Sequence, residues 1–262
     1  LQVNCKLGGE LWGVTIPPRN IMVVGMDVNK DTSRKDYSVA AFVSSMNGTQ
    51  ENKLSCTRYF SRCALQAKGQ EFVDTLQTFM KDALLKYQEK NGVLPDRVFV
   101  YRDGISDGQL NTVSEYEVPQ MRRAFKDVNE SYDPKLSVIL VKKRSNSRFF
   151  MKNDRNDVMN APMGTAICDK VCKFPGEFYL ISQSTNQGTV SPTHYVVIEG
   201  MEHLDMPKMQ TITYRFTHLY YNWPGQIRVP AQCQYAAKLS RLVGETLHKP
   251  HASGLDELLF YL

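Results

Sequence analysis

The chain has 262 residues, 42% of them hydrophobic and 23% charged, with a formal net charge of +5. That balance excludes a disordered, collagen-like or coiled-coil chain and leaves room for a sizeable core, in one large domain or two small ones. A mild basic excess permits an acidic partner without demanding one, so the clustering of charge is more informative than its sum.

Taken in chain order, "NIMVVGMDV" (20–28) predicts a buried strand ending near Asp27. "YSVAAFVSSM" (37–46) and "LSCTRYFSRCAL" (54–65) predict two more, and the turn-rich joints between them predict an antiparallel meander. Phe72, Leu76, Phe79, Met80, Leu84 and Tyr87 recur at spacings of three and four, which predicts a helix closed by Asn91-Gly92 and Pro95. "DRVFVYRD" (96–103) predicts a fourth strand, parallel to the first because a helical crossover separates them. A helix follows over 107–128, with Asp107 placed to cap it, and "KLSVILVKKR" (135–144) predicts a fifth strand.

Residues 145–176 read as an irregular polar loop, and "EFYLISQS" and "THYVVIEG" as strands. A helix opened by Asp205 and Pro207 is predicted through Trp223, with Trp223 itself in the core. The final helix is marked by periodic Ala236, Leu239, Leu242, Val243 and Leu247. A meander followed by α/β crossovers is the order expected of a ribonuclease-H-like fold, a mixed central sheet flanked by helices; a doubly wound sheet fits the pattern as well.

Asp27 and Asp103 both end apolar strands. On parallel neighbouring strands their carboxylates emerge at one sheet edge, where they repel unless a cation holds them. A hard divalent ion such as Mg²⁺ takes oxygen ligands, and two of them can activate a water and stabilise a leaving oxygen. Each aspartate equally ends a strand and begins a turn, and the pattern alone leaves both readings open. Glu71, ahead of its helix, is either a third carboxylate or a charge favoured by the helix dipole. "VKKRSNSRFF" gathers Lys142, Lys143, Arg144 and Arg148 into a basic run, read either as a solvated loop or as a phosphate-binding segment. The six cysteines form no CxxC pair, and Cys168 and Cys172 have no matching His or Cys pair nearby. Free thiols of a reducing compartment are expected rather than a zinc site. The apolar runs are strand-sized, so neither a signal peptide nor a membrane span is expected. The chain starts at Leu1 without an initiator Met and reads as a piece of something longer.

The stretches "QVNCKLGGELW", "VVGMDV", "VYRDGISDGQL", "VKKRSNSRFF", "QGTVSPTHY", "HLYYNWPGQIRVPAQCQYA" and the terminal "FYL" together resemble the PIWI domain of the Argonaute superfamily, on its PIWI branch. The resemblance covers essentially the whole chain: residues 1–19 match the end of the MID domain and its junction, and 20–262 the PIWI domain. It implies a ribonuclease-H-like domain that holds a guide piRNA with a 5′ phosphate and a paired target RNA. The N, PAZ and remaining MID domains of a full-length protein would complete it. It also implies RNA-mediated and transposon silencing in the germline, with silencing partner proteins and no membrane. The expected address is cytoplasmic, in perinuclear germ granules, or nuclear.

Members that cut use an Asp-Glu-Asp-His tetrad with Mg²⁺, or with Mn²⁺. Asp27, Glu71 and Asp103 match its first three members; the fourth falls in "QYAAKL", where the family's histidine is replaced by Ala237. A methyl group cannot ligate a metal, and Lys238, turned about 100° along the helix, should point elsewhere. Cleavage is therefore expected to be impaired, and a guide-directed module that silences without cutting is the alternative. By the same resemblance, Gln2, Lys6 and the terminal carboxylate of Leu262 meet the guide's 5′ phosphate, with Gln2 and Leu262 sharing a Mg²⁺. Lys142, Lys143, Arg144, Arg148, Gln187, Thr189, Tyr220, Arg228 and Gln234 match positions that contact the RNA backbone. Another ribonuclease-H-fold enzyme, such as an integrase, would share the carboxylates but not the phosphate elements at the two ends.

Overall fold

A computed structural model describes residues 1–17, 19–31, 36–48, 56–67, 75–105 and 107–262. After a short N-terminal helix, α1 (Gln2–Lys6), the chain builds strands β1 (Ile21–Lys30), β2 (Tyr37–Ser45) and β3 (Tyr59–Ala67), then helix α2 (Leu76–Asn91) and strand β4 (Arg97–Asp103). Helical turns α3 (Leu110–Thr112) and α4 (Val118–Val128) lead to β5 (Lys135–Lys142). Short strands β6 (Phe150–Lys152), β7 (Val158–Asn160) and β8 (Thr165–Ile167) precede β9 (Glu177–Ile181) and β10 (Thr193–Glu199). Helices α5 (Met206–Phe216) and α6 (Ala231–Leu242) complete the domain.

The main sheet runs β3-β2-β1-β4-β5-β10-β9-β8. The first three strands pair antiparallel, as the meander requires, whereas β4 is parallel to β1 and β5 is parallel to β4. The central strands are apolar along their length because both faces of the sheet are covered. Alternation then assigns each residue to a layer. Met22, Val24, Val98, Val100 and Val138 pack beneath α2 and α4. Val23, Phe99, Tyr101, Ile139 and Val141 pack against the α5 and α6 side. The result is a mixed sheet between two helical layers, the ribonuclease-H-like arrangement.

Several boundaries depart from the sequence expectation. β3 begins at Tyr59, because Cys56 has φ 56° and cannot continue a strand. The segment 145–176 is not wholly irregular: β6 and β7 form a hairpin, and β8 joins the main sheet beside β9. The predicted helix over 107–128 is composite, with a wider π-turn at Val113–Glu117 just before Pro119. Proline lacks the N–H that a regular turn would use there, so the wider turn is accommodated. The side chain of Asp107, expected to cap this helix, lies outside the described residues.

α5 stops at Phe216 instead of running to Trp223. Tertiary bonds claim the backbone that would have extended it. The Trp12 indole N–H donates to the His218 carbonyl (2.7 Å), the Tyr235 hydroxyl to the Leu219 carbonyl (2.8 Å), and the Tyr221 N–H to the Tyr235 hydroxyl (2.9 Å). Trp223, expected in the core, is 57% exposed as a consequence. The last helix also changes phase: a π-turn at Val243–Leu247 carries Leu247 outward, while Ala236, Leu239 and Val243 stay buried. Among the described residues no helix is long and apolar enough to cross a membrane.

Candidate active site and nucleic-acid cleft

β1 and β4 pair in parallel with Met26 beside Arg102, so the next residue on each strand is an aspartate, Asp27 and Asp103. Both side chains project on the α6 face, two residues beyond Gly25 and Tyr101. Asp103 is buried and Asp27 half-buried. They open into a cleft of about 690 Å³ whose opposite wall is the basic segment Lys142–Ser147.

Burial pushes the Asp103 carboxyl above the usual carboxylate range; Lys143 pulls it back and the neighbouring Asp27 charge adds to the rise. Lys143 forms an ion pair with Asp103 Oδ2. Burial disfavours its ammonium, but Asp103 and then Asp27 more than restore it. The acidic pair therefore already draws a cation into the cleft.

Asp103 is held from both faces of the sheet. Its Oδ1 accepts the Gly104 N–H at 2.8 Å. Gly104 has φ +82°, a conformation that suits glycine, and a Cβ there would lie 3.8 Å from Asp27 Oδ1. Arg102 points to the opposite layer, where its Nε lies 3.1 Å from both carboxylate oxygens of Glu117. Both side chains are fully buried, and Arg102 Nη1 donates to the Asp103 carbonyl. The π-turn at Val113–Glu117 carries that glutamate.

α6 lies directly on β1. A Cβ at Gly25 would fall 2.1 Å from the Gln232 carbonyl carbon, so only glycine permits this approach. Further along α6, Ser240 Oγ donates to Asp27 Oδ2 at 2.5 Å. Ala237, half-buried on the same helix, sits one turn before Ser240 and offers no donor or acceptor from its side chain.

The basic wall is ordered by its own hydrogen bonds. Arg148 Nη1 donates to the carbonyls of Ser145 (2.8 Å) and Ser147 (2.7 Å). Arg228, half-buried, donates to the carbonyls of Lys143 and Pro192. Burial and the nearby Arg148 charge lower the Arg228 pKa, so two guanidiniums of like charge lie close together. An anion between them would relieve the repulsion.

The two ends of the chain meet on the β3 side of the molecule. Gly8 packs near Leu258, with 3.4 Å between its Cβ position and that side chain. The Tyr261 hydroxyl bonds Ser61 Oγ at 2.8 Å, and Gln2 bonds Asn222 Oδ1.

The family described as "Piwi domain" matches residues 1–248. The chain belongs to the Piwi domain family. Its sequence is 46% identical over 263 residues to "Piwi-like protein 1" of Danio rerio, covering all of this chain and 30% of that protein. It is 40% identical over 262 residues to "Piwi-like protein 3" of Homo sapiens, covering all of this chain and 29% of that protein. The crystal structure of Drosophila Piwi superposes with TM-score 0.86 at 37% identity, covering all of this chain and 35% of that one. A Kluyveromyces polysporus Argonaute solved with a guide RNA superposes at 0.83 and 22% identity over the whole chain and 36% of that protein, a likeness of fold alone. This Piwi domain thus spans about 30% of the length of the curated relatives it matches.

Within this Piwi domain the expected site residues divide. Asp27 and Asp103 come to one cleft, Ala237 lies on α6 one turn before the Ser240 that bonds Asp27, and Glu71 lies outside the described residues. Arg144 and Arg148 are exposed beside the cleft, and Lys142 is half-buried in its wall. Lys143 lines the cleft as well, with its ammonium paired to Asp103. Tyr220 departs from the expected RNA contact. It is buried in the core, its ring 5.5 Å from that of Tyr235, because the turn after α5 folds inward. Its neighbours Leu219 and Tyr221 are core as well. Gln187 and Thr189 lie exposed between β9 and β10, and Gln234 is half-buried on α6. Lys6 is half-buried at the end of α1, Gln2 exposed and Leu262 half-buried.

Sequence reading missed the Arg102–Glu117 pair and Ser240. The first has no local signal, since strand and π-turn meet only in the fold. The second had one: a polar residue at 240 within the apolar stripe of Ala236, Leu239 and Val243.

Proposed function

We propose that this Piwi domain holds a small guide RNA and its paired target, with divalent-metal cleavage diminished by Ala237. The observation that carries the reading is the neighbouring pair Asp27–Asp103, opening onto a cleft walled by Lys142, Lys143 and Arg144. Carboxylate oxygens suit Mg²⁺ or Mn²⁺, and Lys143 drawn onto Asp103 supports a cation preference at this point. The fit is partial. Asp27 and Asp103 would hold the ion, Ala237 supplies no ligand, and the described residues contain no cluster of three His, Cys, Asp or Glu. When bound, such an ion would supply water activation and charge stabilisation at a phosphodiester. The chain's own residues do the rest. Arg144 in the cleft wall, with Arg148 and Arg228 bonded to the backbone of that wall, binds and orients phosphates, while Gly104 and Arg102 fix Asp103.

A shared contact of Lys6, Gln2 and Leu262 with a guide's 5′ phosphate is part of this proposal. The remaining domains of a longer protein, silencing partners and a germline role in silencing transposons belong to the same reading.

The methyl group at 237 specifically favours a second reading, a guide-directed module that silences through partners rather than by cutting. Cleavage of a fully paired target with Mg²⁺ separates the two. Ala237→His is expected to raise the rate at least tenfold, a change of about 1.4 kcal/mol in the barrier. No gain would show that the missing ligand is not what limits the site.

A further inference from the structure

We infer that Ser240 is a positioning residue for Asp27, the group by which α6 addresses the carboxylate pair in a chain that carries alanine at 237. The inference rests on the metal-site reading above and concerns how Asp27 is presented to an ion.

Ser240 is fully buried, on a helix face otherwise made of Ala236, Leu239 and Val243. A hydroxyl there is unfavourable unless it finds a partner. It has one 2.5 Å away, Asp27 Oδ2. Its other contact, the Ala237 carbonyl at 3.1 Å, is the ordinary back-bond of a helical serine, available anywhere in a helix. A serine hydroxyl has a single proton, and a carboxylate is the stronger acceptor, so the proton goes to Asp27.

That bond divides the work of the two carboxylate oxygens. Oδ2 is committed to α6. Oδ1 faces Gly104, which presents no side chain and leaves 3.8 Å to its Cβ position, toward the side where Asp103 stands. The ion would therefore meet Oδ1, with the carboxylate's rotation already set. The helix backbone lies directly on β1 here, an approach that the absence of a Cβ at Gly25 permits. Residue 237 lies three positions before 240, on the same side of the helix. α6 thus reaches Asp27 by a hydrogen bond from the next turn, and ligates nothing from position 237.

Two measurements test this in the intact chain. The first is Mn²⁺ affinity by calorimetry or by the bound-ion magnetic resonance signal. Ser240→Ala is expected to weaken Mn²⁺ binding five- to tenfold, Ser240→Thr to stay within twofold of the parent, and Asp27→Asn to abolish the site. A merely structural serine would not give this pattern, since its loss would shift unfolding and leave the affinity of the folded protein unchanged. The second is a double-mutant cycle on unfolding in EDTA with Ser240→Ala and Asp27→Asn. A coupling of about tenfold in the folding constant is expected for a hydrogen bond to a charged group. Parent-like Mn²⁺ affinity in Ser240→Ala, with Asp27→Asn defective, would overturn the positioning role alone. Equal affinity in the parent and Asp27→Asn would overturn the metal-site reading and this inference with it. A cycle without coupling would show that the bond contributes nothing, and would likewise overturn it.

Discussion

Gly25 lies where α6 crosses β1, and alanine there tests the whole arrangement of the site. The added Cβ would sit 2.1 Å from the Gln232 carbonyl carbon, 2.2 Å from its oxygen and 2.5 Å from the Cys233 nitrogen. All three are backbone atoms, so no side-chain rotation relieves the overlap. Ordinary contact begins at 3.4 Å, so α6 must retreat by about 1.3 Å from its present place. Over-packing a well-filled interior costs about 1–3 kcal/mol, more when backbone must move, which places Gly25→Ala near ~3 kcal/mol. That is a large share of a typical domain's stability of roughly 5–15 kcal/mol. The same retreat would pull Ser240 out of hydrogen-bond reach of Asp27, now at 2.5 Å. Urea unfolding followed by circular dichroism measures the effect, as a lower midpoint at unchanged slope. A loss smaller than about 0.5 kcal/mol would refute the reasoning, because it would mean that α6 and β1 are not pressed together as described.

Three other changes discriminate between parts of the account. Arg102→Met strands a fully buried Glu117 and is expected to cost about 3–5 kcal/mol, while Arg102→Met with Glu117→Leu recovers most of it; equal losses in urea unfolding would contradict the pairing. Tyr221→Phe removes a hydroxyl that bonds the carbonyls of Trp12 (3.0 Å) and Thr57 (3.3 Å), for about 1 kcal/mol, whereas Trp223→Ala on the exposed turn changes stability by less than about 0.5 kcal/mol. In EDTA, Asp103 binds its proton more tightly in the folded state, because burial raises its carboxyl from 3.8. Its contribution to stability is therefore fully present below pH 3.8 and is lost as pH rises through the raised folded value. Asp103→Asn should flatten that part of the stability profile, and a profile unchanged by the substitution would show that Asp103 does not titrate this way.

Much of the site could be read along the chain because its signals are local. Strand ends, an Asp-Gly turn and a basic run each occupy consecutive residues, and the helical crossover between β1 and β4 made their parallel pairing an expectation. Ala237 was conspicuous only against a resemblance, since an alanine in a helix attracts no notice by itself. The partner of Lys143 was not legible: a lysine in a basic run gives no sign of the buried carboxylate that the fold sets in front of it. Tyr220 and Trp223 were exchanged in role for another, because the turn after α5 is shaped by hydrogen bonds from Trp12 and Tyr235, at sequence separations of 206 and 16 residues.

The amino-acid sequence by itself determined which residues could form strands, which could form helices, and that Asp27 and Asp103 would end two strands. It did so because alternation and helical periodicity are properties of consecutive residues. Only the tertiary structure decided the environment of those carboxylates: Lys143 on one, Ser240 on the other, Arg102 and Glu117 behind, and Gly25 letting α6 come close. These contacts join segments far apart in the chain. A side chain's charge and aim at such a site are set by neighbours that folding, and not sequence adjacency, brings to it.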